Sequence, residues 1–170
     1  MSGPLDPVEL LRALSLAGVE HVVIGGFAVI SHGVVRVTKD LDIVPGPDRS
    51  NLERLARCLA DLGATQMGLG DFDRDEMPFD PTRAADLAQG GNFRLDTPLG
   101  VLDVMQWVSG IESEHAYQPL SGEAVDAEVA GVPVRICSLA QLRAMKRAAG
   151  RPQDLQDLAD LAVAHGDEGE

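Results

Sequence analysis

The chain has 170 residues, 45% of them hydrophobic, and a formal net charge of −13. That length suits one domain with its own core, and no apolar run approaches the ~20 residues of a membrane-spanning helix. So acidic a balance argues against extended DNA or RNA binding, which rests on Lys and Arg facing phosphates, although four of the 14 basic residues gather between Arg143 and Arg151.

The first residues, Met1-Ser2-Gly3-Pro4-Leu5-Asp6, show neither the basic nor the apolar region of a signal peptide, and a cytoplasmic protein is expected. Cys58 and Cys137, far apart in apolar stretches, read as buried thiols and not as a disulfide. Asp6-Pro7-Val8-Glu9 opens a helix with an N-cap, a proline at the first position and an acid at the third. Leu10, Leu11, Leu14 and Ala17 mark its buried face, and Gly18 ends it.

Val22 to Ile24 is a β-branched run too short for a helix, so Val19 to Ile24 reads as a buried strand. It runs into Gly25-Gly26, and Phe27, Ala28, Ile30 and Ser31 suit a short helix. A glycine pair opening a helix leaves backbone N–H groups free to hold phosphate oxygens. His32 follows, expected to be surface or half-buried. Asp40 to Val44 is the next strand, with Asp40 and Asp42 on one face and Leu41 and Ile43 on the other. Two carboxylates about 4 Å apart repel by roughly 4 kcal/mol at an effective dielectric near 20, so a strand keeps such a pair most readily with a cation. Hard divalent ions, Mg²⁺ above all, take these oxygen ligands. The plainer alternative is a turn residue followed by a solvated edge residue.

Pro45-Gly46-Pro47 breaks the chain, and Asp48 caps a helix to Leu62 with Leu52, Leu55, Leu59 and Leu62 at helical spacing. Residues 64–91 show no period and are expected to form an irregular loop, with Asp71-Phe72-Asp73-Arg74-Asp75-Glu76 as a solvated charged run. Phe93–Thr97, the turn Pro98-Leu99-Gly100 and Val101–Trp107 read as a β-hairpin. Asp103 is the lone charge in its second arm. A carboxylate there needs a partner: either an arginine not identified by the pattern, or the cation of Asp40 and Asp42, the preferred reading. Asp96 is the competing acid and is expected to be exposed. Residues 123–136 form a second hairpin extending the sheet. Ser138 caps a helix with Leu139, Leu142 and Met145 inward. Pro152 opens the last helix, expected to turn Leu155, Leu158 and Leu161 inward.

Gly25-Gly26, a spacer with Arg36 and Thr38, then Asp40-Leu41-Asp42 resembles the signature of the nucleotidyltransferase superfamily that includes DNA polymerase β. Leu142–Leu158, with Lys146, then Arg151-Pro152-Gln153-Asp154-Leu155-Gln156-Asp157-Leu158, is similar to the small bacterial AbiEii-like group, although Gln156 stands where those toxins carry a tyrosine. The resemblance implies an α/β (α+β) nucleotidyltransferase fold, a mixed sheet with helices packed on it and a C-terminal helical pair. The expected divisions are a catalytic core at 1–137, the helical pair at 138–166 and an acidic tail at 167–170. It also implies a catalytic and metal-binding set of Asp40, Asp42 and Asp103 holding Mg²⁺ or Mn²⁺, with Asp103 as general base. Gly25, Gly26, Arg36, Thr38, Lys146 and Arg151 would contact the nucleotide, with Asp154 assisting. For Lys146 a solvated position is the alternative, and for Asp154 and Asp157 a helix-dipole role. The implied reaction moves an NMP from an NTP such as ATP to a hydroxyl on an RNA end, a protein or a small molecule. Such an enzyme could serve as a toxin–antitoxin component; the alternative is a non-catalytic nucleotide- or partner-binding protein of the same fold.

Overall fold

The structure is a computed structural model that describes residues 3–68, 76 and 79–167. The charged run Asp71–Asp75 and the last three residues of the acidic tail lie outside the described residues.

Helix α1 spans Pro7–Leu16, its first turn capped by the Asp6 carboxylate, which accepts from the Glu9 N–H at 3.1 Å. Leu10, Leu11 and Leu14 are buried along one side. Strand β1, His21–Ile24, begins two residues later than expected, because the Ala17-Gly18 turn closes α1 and Val19 N–H still donates back to the Leu14 carbonyl. It leads directly into α2, Gly25–Ser31, and β2 follows at Asp40–Pro45. Helix α3, Arg49–Asp61, is capped by Asp48 and buries Leu52, Leu55 and Leu59. Its buried Asn51 ties the β1–β2 end together, donating to the Glu20 and Gly46 carbonyls at 2.9 Å each.

The 64–91 stretch is not irregular throughout. Thr65–Gln66 forms the short strand β3 and Ala84–Leu87 one helical turn, α4. Two residues are too few for an alternation to show in the sequence. Strands β4 (Asn92–Thr97) and β5 (Gly100–Met105) make the expected hairpin. Helix α5, Tyr117–Glu123, lies in a segment with no helical period. Strands β6 (Val125–Val129) and β7 (Val132–Ile136) make the second hairpin, and α6 (Leu139–Ala149) and α7 (Pro152–His165) close the described chain. No described helix is long and apolar enough to cross a membrane.

The described strands form one mixed sheet in the order β3-β4-β5-β2-β1-β7-β6. Its centre is β5-β2-β1-β7: β2 runs parallel to β5 and antiparallel to β1, and β1 runs parallel to β7. Leu41, Ile43, Leu102 and Val104 in β2 and β5 are fully buried. Cys58 and Cys137 are both buried free thiols, and burial pushes Cys137 up to about 12.

The last helix turns a different face inward from the one its leucines suggested. Leu161 is fully buried, but Leu155 is 57% exposed, and Asp154 and Asp157 take the inward positions. Positions 154, 157 and 161 lie on one face at helical spacing, and cations on α6 and on the chain before β2 receive the two carboxylates, as described below. Leu161→Ala should therefore cost about 2–5 kcal/mol, whereas Leu155→Ala should change stability by less than about 0.5 kcal/mol. Urea unfolding followed by circular dichroism distinguishes the two.

Candidate active site

The parallel pairing of β2 with β5 sets Asp40 opposite Val101, Leu41 opposite Leu102 and Asp42 opposite Asp103. Alternation then sends Asp40, Asp42 and Asp103 to one face while their leucine, isoleucine and valine neighbours enter the core. One carboxylate oxygen from each aspartate lies within 4.8 Å of the other two. Burial, then the charges of Asp40 and Asp103, raise the Asp42 carboxyl well above its ordinary range. Burial also raises Asp103, against the opposing pull of its hydrogen bond with Asp42 and the charge of Arg94. An all-oxygen donor set whose members resist ionising together fits a hard divalent cation such as Mg²⁺ or Mn²⁺.

The turn beside these acids cannot carry side chains. Gly25 has φ +69°, and a Cβ there would collide with Asp42 Oδ2. A Cβ on Gly26 would come within 2.8 Å of both Arg36 Nη2 and Thr38 Oγ1. The two glycines thus let the start of α2 press against the carboxylates on one side and against Arg36 and Thr38 on the other. Thr38 Oγ1 donates to the Asp40 carbonyl at 3.0 Å, which steadies the entry to β2.

A second group of charges forms the facing wall. Lys146, on α6, is only 6% exposed and reaches Asp154 Oδ1 at 3.0 Å and Asp157 Oδ2 at 2.8 Å. Arg36 meets Asp157 from the other side, with Nη2 donating to Oδ2 at 3.1 Å. Arg151 donates to Asp154 Oδ2 at 2.7 Å and Oδ1 at 3.2 Å. Burial alone would raise Asp154, but the hydrogen bonds from Arg151 and Lys146 outweigh it and hold the carboxyl below its usual range. Lys146 is therefore buried and paired, not solvated, and Asp154 and Asp157 do more than complement a helix dipole. Gly25, Gly26, Arg36, Thr38, Asp40, Asp42, Asp103, Lys146, Arg151 and Asp154 all line one cleft of about 760 Å³, within the size range of small-molecule sites.

Asp96 is not a member of the carboxylate group. His32 is half-buried and its Nε2 lies 2.8 Å from the Cys137 carbonyl. Two contributors escape the sequence reading. Asp157 is one, hidden by the leucine period of its helix. Arg94 is the other: it lines the cleft, with Nη1 donating to Asp103 Oδ2 at 2.7 Å and Nη2 to Asp40 Oδ2 at 3.2 Å. It is the arginine left unidentified above, hidden because the expected turn Pro98-Leu99-Gly100 is one residue too long: Gly100 belongs to β5. A two-residue turn at Pro98-Leu99 pairs Thr97 with Gly100, and counting back along the hairpin pairs Arg94 with Asp103.

The fold has counterparts among known proteins. No family model matches the chain, and no curated protein sequence matches it. Among solved structures, the antibiotic-resistance factor ANT(2″)-Ia in complex with adenylyl-2″-tobramycin is similar, with 17% identity over 92% of this chain and 86% of that one and a TM-score of 0.57. The lincosamide antibiotic adenylyltransferase LnuA, lincomycin-bound, shares 15% identity over 95% of this chain and 99% of its own, at a TM-score of 0.56. An antigenic nucleotidyltransferase-like protein from Paracoccidioides brasiliensis shares 15% over 95% and 78%, at 0.55. The fold is the nucleotidyltransferase fold.

The raised Asp42 carboxyl has a measurable cost. A carboxyl whose pKa is higher folded than unfolded favours folding while protonated, fully so below its unfolded value, and that contribution is lost as pH rises through the folded pKa. Asp42→Asn, which cannot ionise, should therefore be more stable than the wild type at about pH 7 in the absence of metal, and the gain should vanish below the unfolded aspartate value of about 3.9. Thermal unfolding in EDTA across that pH interval checks both ends.

Proposed function

We propose that this protein is a metal-dependent nucleotidyltransferase that moves an NMP from an NTP to an acceptor hydroxyl and releases pyrophosphate. The observation that carries the reading is the convergence, in one cleft, of Asp40, Asp42 and Asp103 with the Gly25-Gly26 turn and the Arg36–Lys146–Arg151 group. Bound Mg²⁺ or Mn²⁺ supplies Lewis acidity to the phosphoryl oxygens and a lower pKa to the attacking hydroxyl.

The chain's own residues do the rest. Asp103 takes the hydroxyl proton, a role helped by a carboxyl held above its ordinary range by burial. The acceptor oxygen bonds to the α-phosphorus as the bond to the α–β bridging oxygen breaks. The Gly25-Gly26 turn lets phosphate oxygens approach backbone N–H groups, with Thr38 beside them. Arg151, exposed over most of its side chain, meets the charge that develops on pyrophosphate, and the buried Lys146 adds to the field from behind Asp154. Such a reaction asks mainly for positioning and electrostatics, which suits a site with few residue types.

We infer a small-molecule acceptor. The net charge of −13 disfavours a long RNA, and Met105, Val108, Leu142 and Met145 give the cleft an apolar wall. Two structural neighbours, ANT(2″)-Ia with adenylyl-2″-tobramycin and the lincomycin-bound LnuA, hold antibiotic molecules of that size class. A toxin–antitoxin or purely binding role gains no support from the site.

Incubation with each α-labelled NTP, Mg²⁺ and cell extract should move label into a small-molecule fraction. Asp42→Ala should lose both this transfer and metal-dependent nucleotide binding in equilibrium dialysis. Label in RNA or protein would change the acceptor; unaltered nucleotide binding by Asp42→Ala would overturn the chemistry.

A further inference from the structure

The carboxylate group already has a counter-cation, and the chain supplies it. Arg94 and Asp103 are register partners across the β4–β5 hairpin. The guanidinium spans from there to β2, donating to one oxygen of Asp103 and one of Asp40, and Asp42 feels it through charge. Its side chain is 43% exposed and faces the open cleft, so it can leave without disturbing the core. Holding the strands together does not require it: β4, β5 and β2 are joined by their backbone ladders and by the fully buried Leu41, Leu95 and Leu102. What it does provide is positive charge among three carboxylates within 4.8 Å of one another.

We propose that Arg94 is a built-in placeholder for the metal: in the metal-free protein it neutralises Asp40 and Asp103, and a cation entering the triad displaces it. This rests on the metal-site reading above. Arg94 then competes with the metal and sets its affinity, since every binding event must first break two charge-assisted hydrogen bonds. It is a positioning residue and takes no part in the transfer.

The test needs no nucleotide and no turnover. Mn²⁺ binding is measured by the electron paramagnetic resonance of free Mn²⁺ for the wild type, Arg94→Gln, Arg94→Lys and Asp42→Ala. Arg94→Gln should bind roughly fivefold tighter, as loss of a partly exposed competing pair implies, and Arg94→Lys, which keeps the charge, should stay near the wild type. In EDTA, Arg94→Gln should melt below the wild type, and saturating Mn²⁺ should close that gap. In the wild type itself, saturating Mg²⁺ should move the Arg94 Nε–Hε resonance toward that of free arginine. Equal or weaker Mn²⁺ binding by Arg94→Gln, a melting gap indifferent to Mn²⁺, or an unmoved Arg94 resonance overturns the placeholder while leaving the metal site standing. Wild-type Mn²⁺ affinity in Asp42→Ala, or no Mn²⁺ binding by any of the proteins, overturns the metal site and the placeholder with it.

Discussion

The pairing of β2 with β5 is the constraint on which the rest depends. Side chains alternate along a strand, so a slip of one residue would send Asp103 to the opposite face from Asp42. The register is fixed by Leu41 beside Leu102 and Ile43 beside Val104, all four fully buried. Core packing and site geometry are therefore one arrangement seen from two faces. Burying the apolar set forces the acids together, and their mutual repulsion is the cost of that register. Arg94 offsets part of it from the neighbouring strand.

The opposite wall of the cleft uses the reverse principle. There the buried acids are outnumbered by cations: Asp154 and Asp157 sit among Arg36, Lys146 and Arg151. A buried charge with no partner destabilises a fold by several kcal/mol, whereas a fully paired group is tolerable. Here the pairs join three separate parts of the chain, the segment before β2, α6 and the start of α7. The result is a cleft with an electron-rich floor that resists full ionisation and a basic wall held rigid by its own counter-ions.

Much of this was legible in the sequence, for identifiable reasons. Caps at Asp6, Asp48 and Ser138 mark three helices, and each accepts a backbone N–H as the residue pattern implies. Asp40 and Asp42 stand out because two like charges on one strand face are an anomaly that asks for an explanation. Asp103 stands out because it is alone in an apolar strand. The inward face of α7 was not legible, because leucines at 155, 158 and 161 offer a competing stripe, and only the positions of Arg36 and Lys146 in space decide for the aspartates. Strand β3 was too short to show a period, and α5, which contains Pro119 and Gly122, has no side-chain cap and a single buried side chain, Leu120. Arg94 was not legible, because counting Gly100 into the turn shifts the hairpin register by one and sets Arg94 opposite Val104 instead of Asp103.

The contact between Arg36 and Asp157 joins positions 121 apart in the chain. During synthesis Arg36 leaves the ribosome long before Asp157 does, and Lys146 precedes its acidic partners as well. A nascent chain can thus complete the β1–β2–β5 ladder and its acidic floor while the basic wall still lacks the helix that organises it. The basic wall is complete only when α7 has emerged and brought Asp154 and Asp157 to their cations.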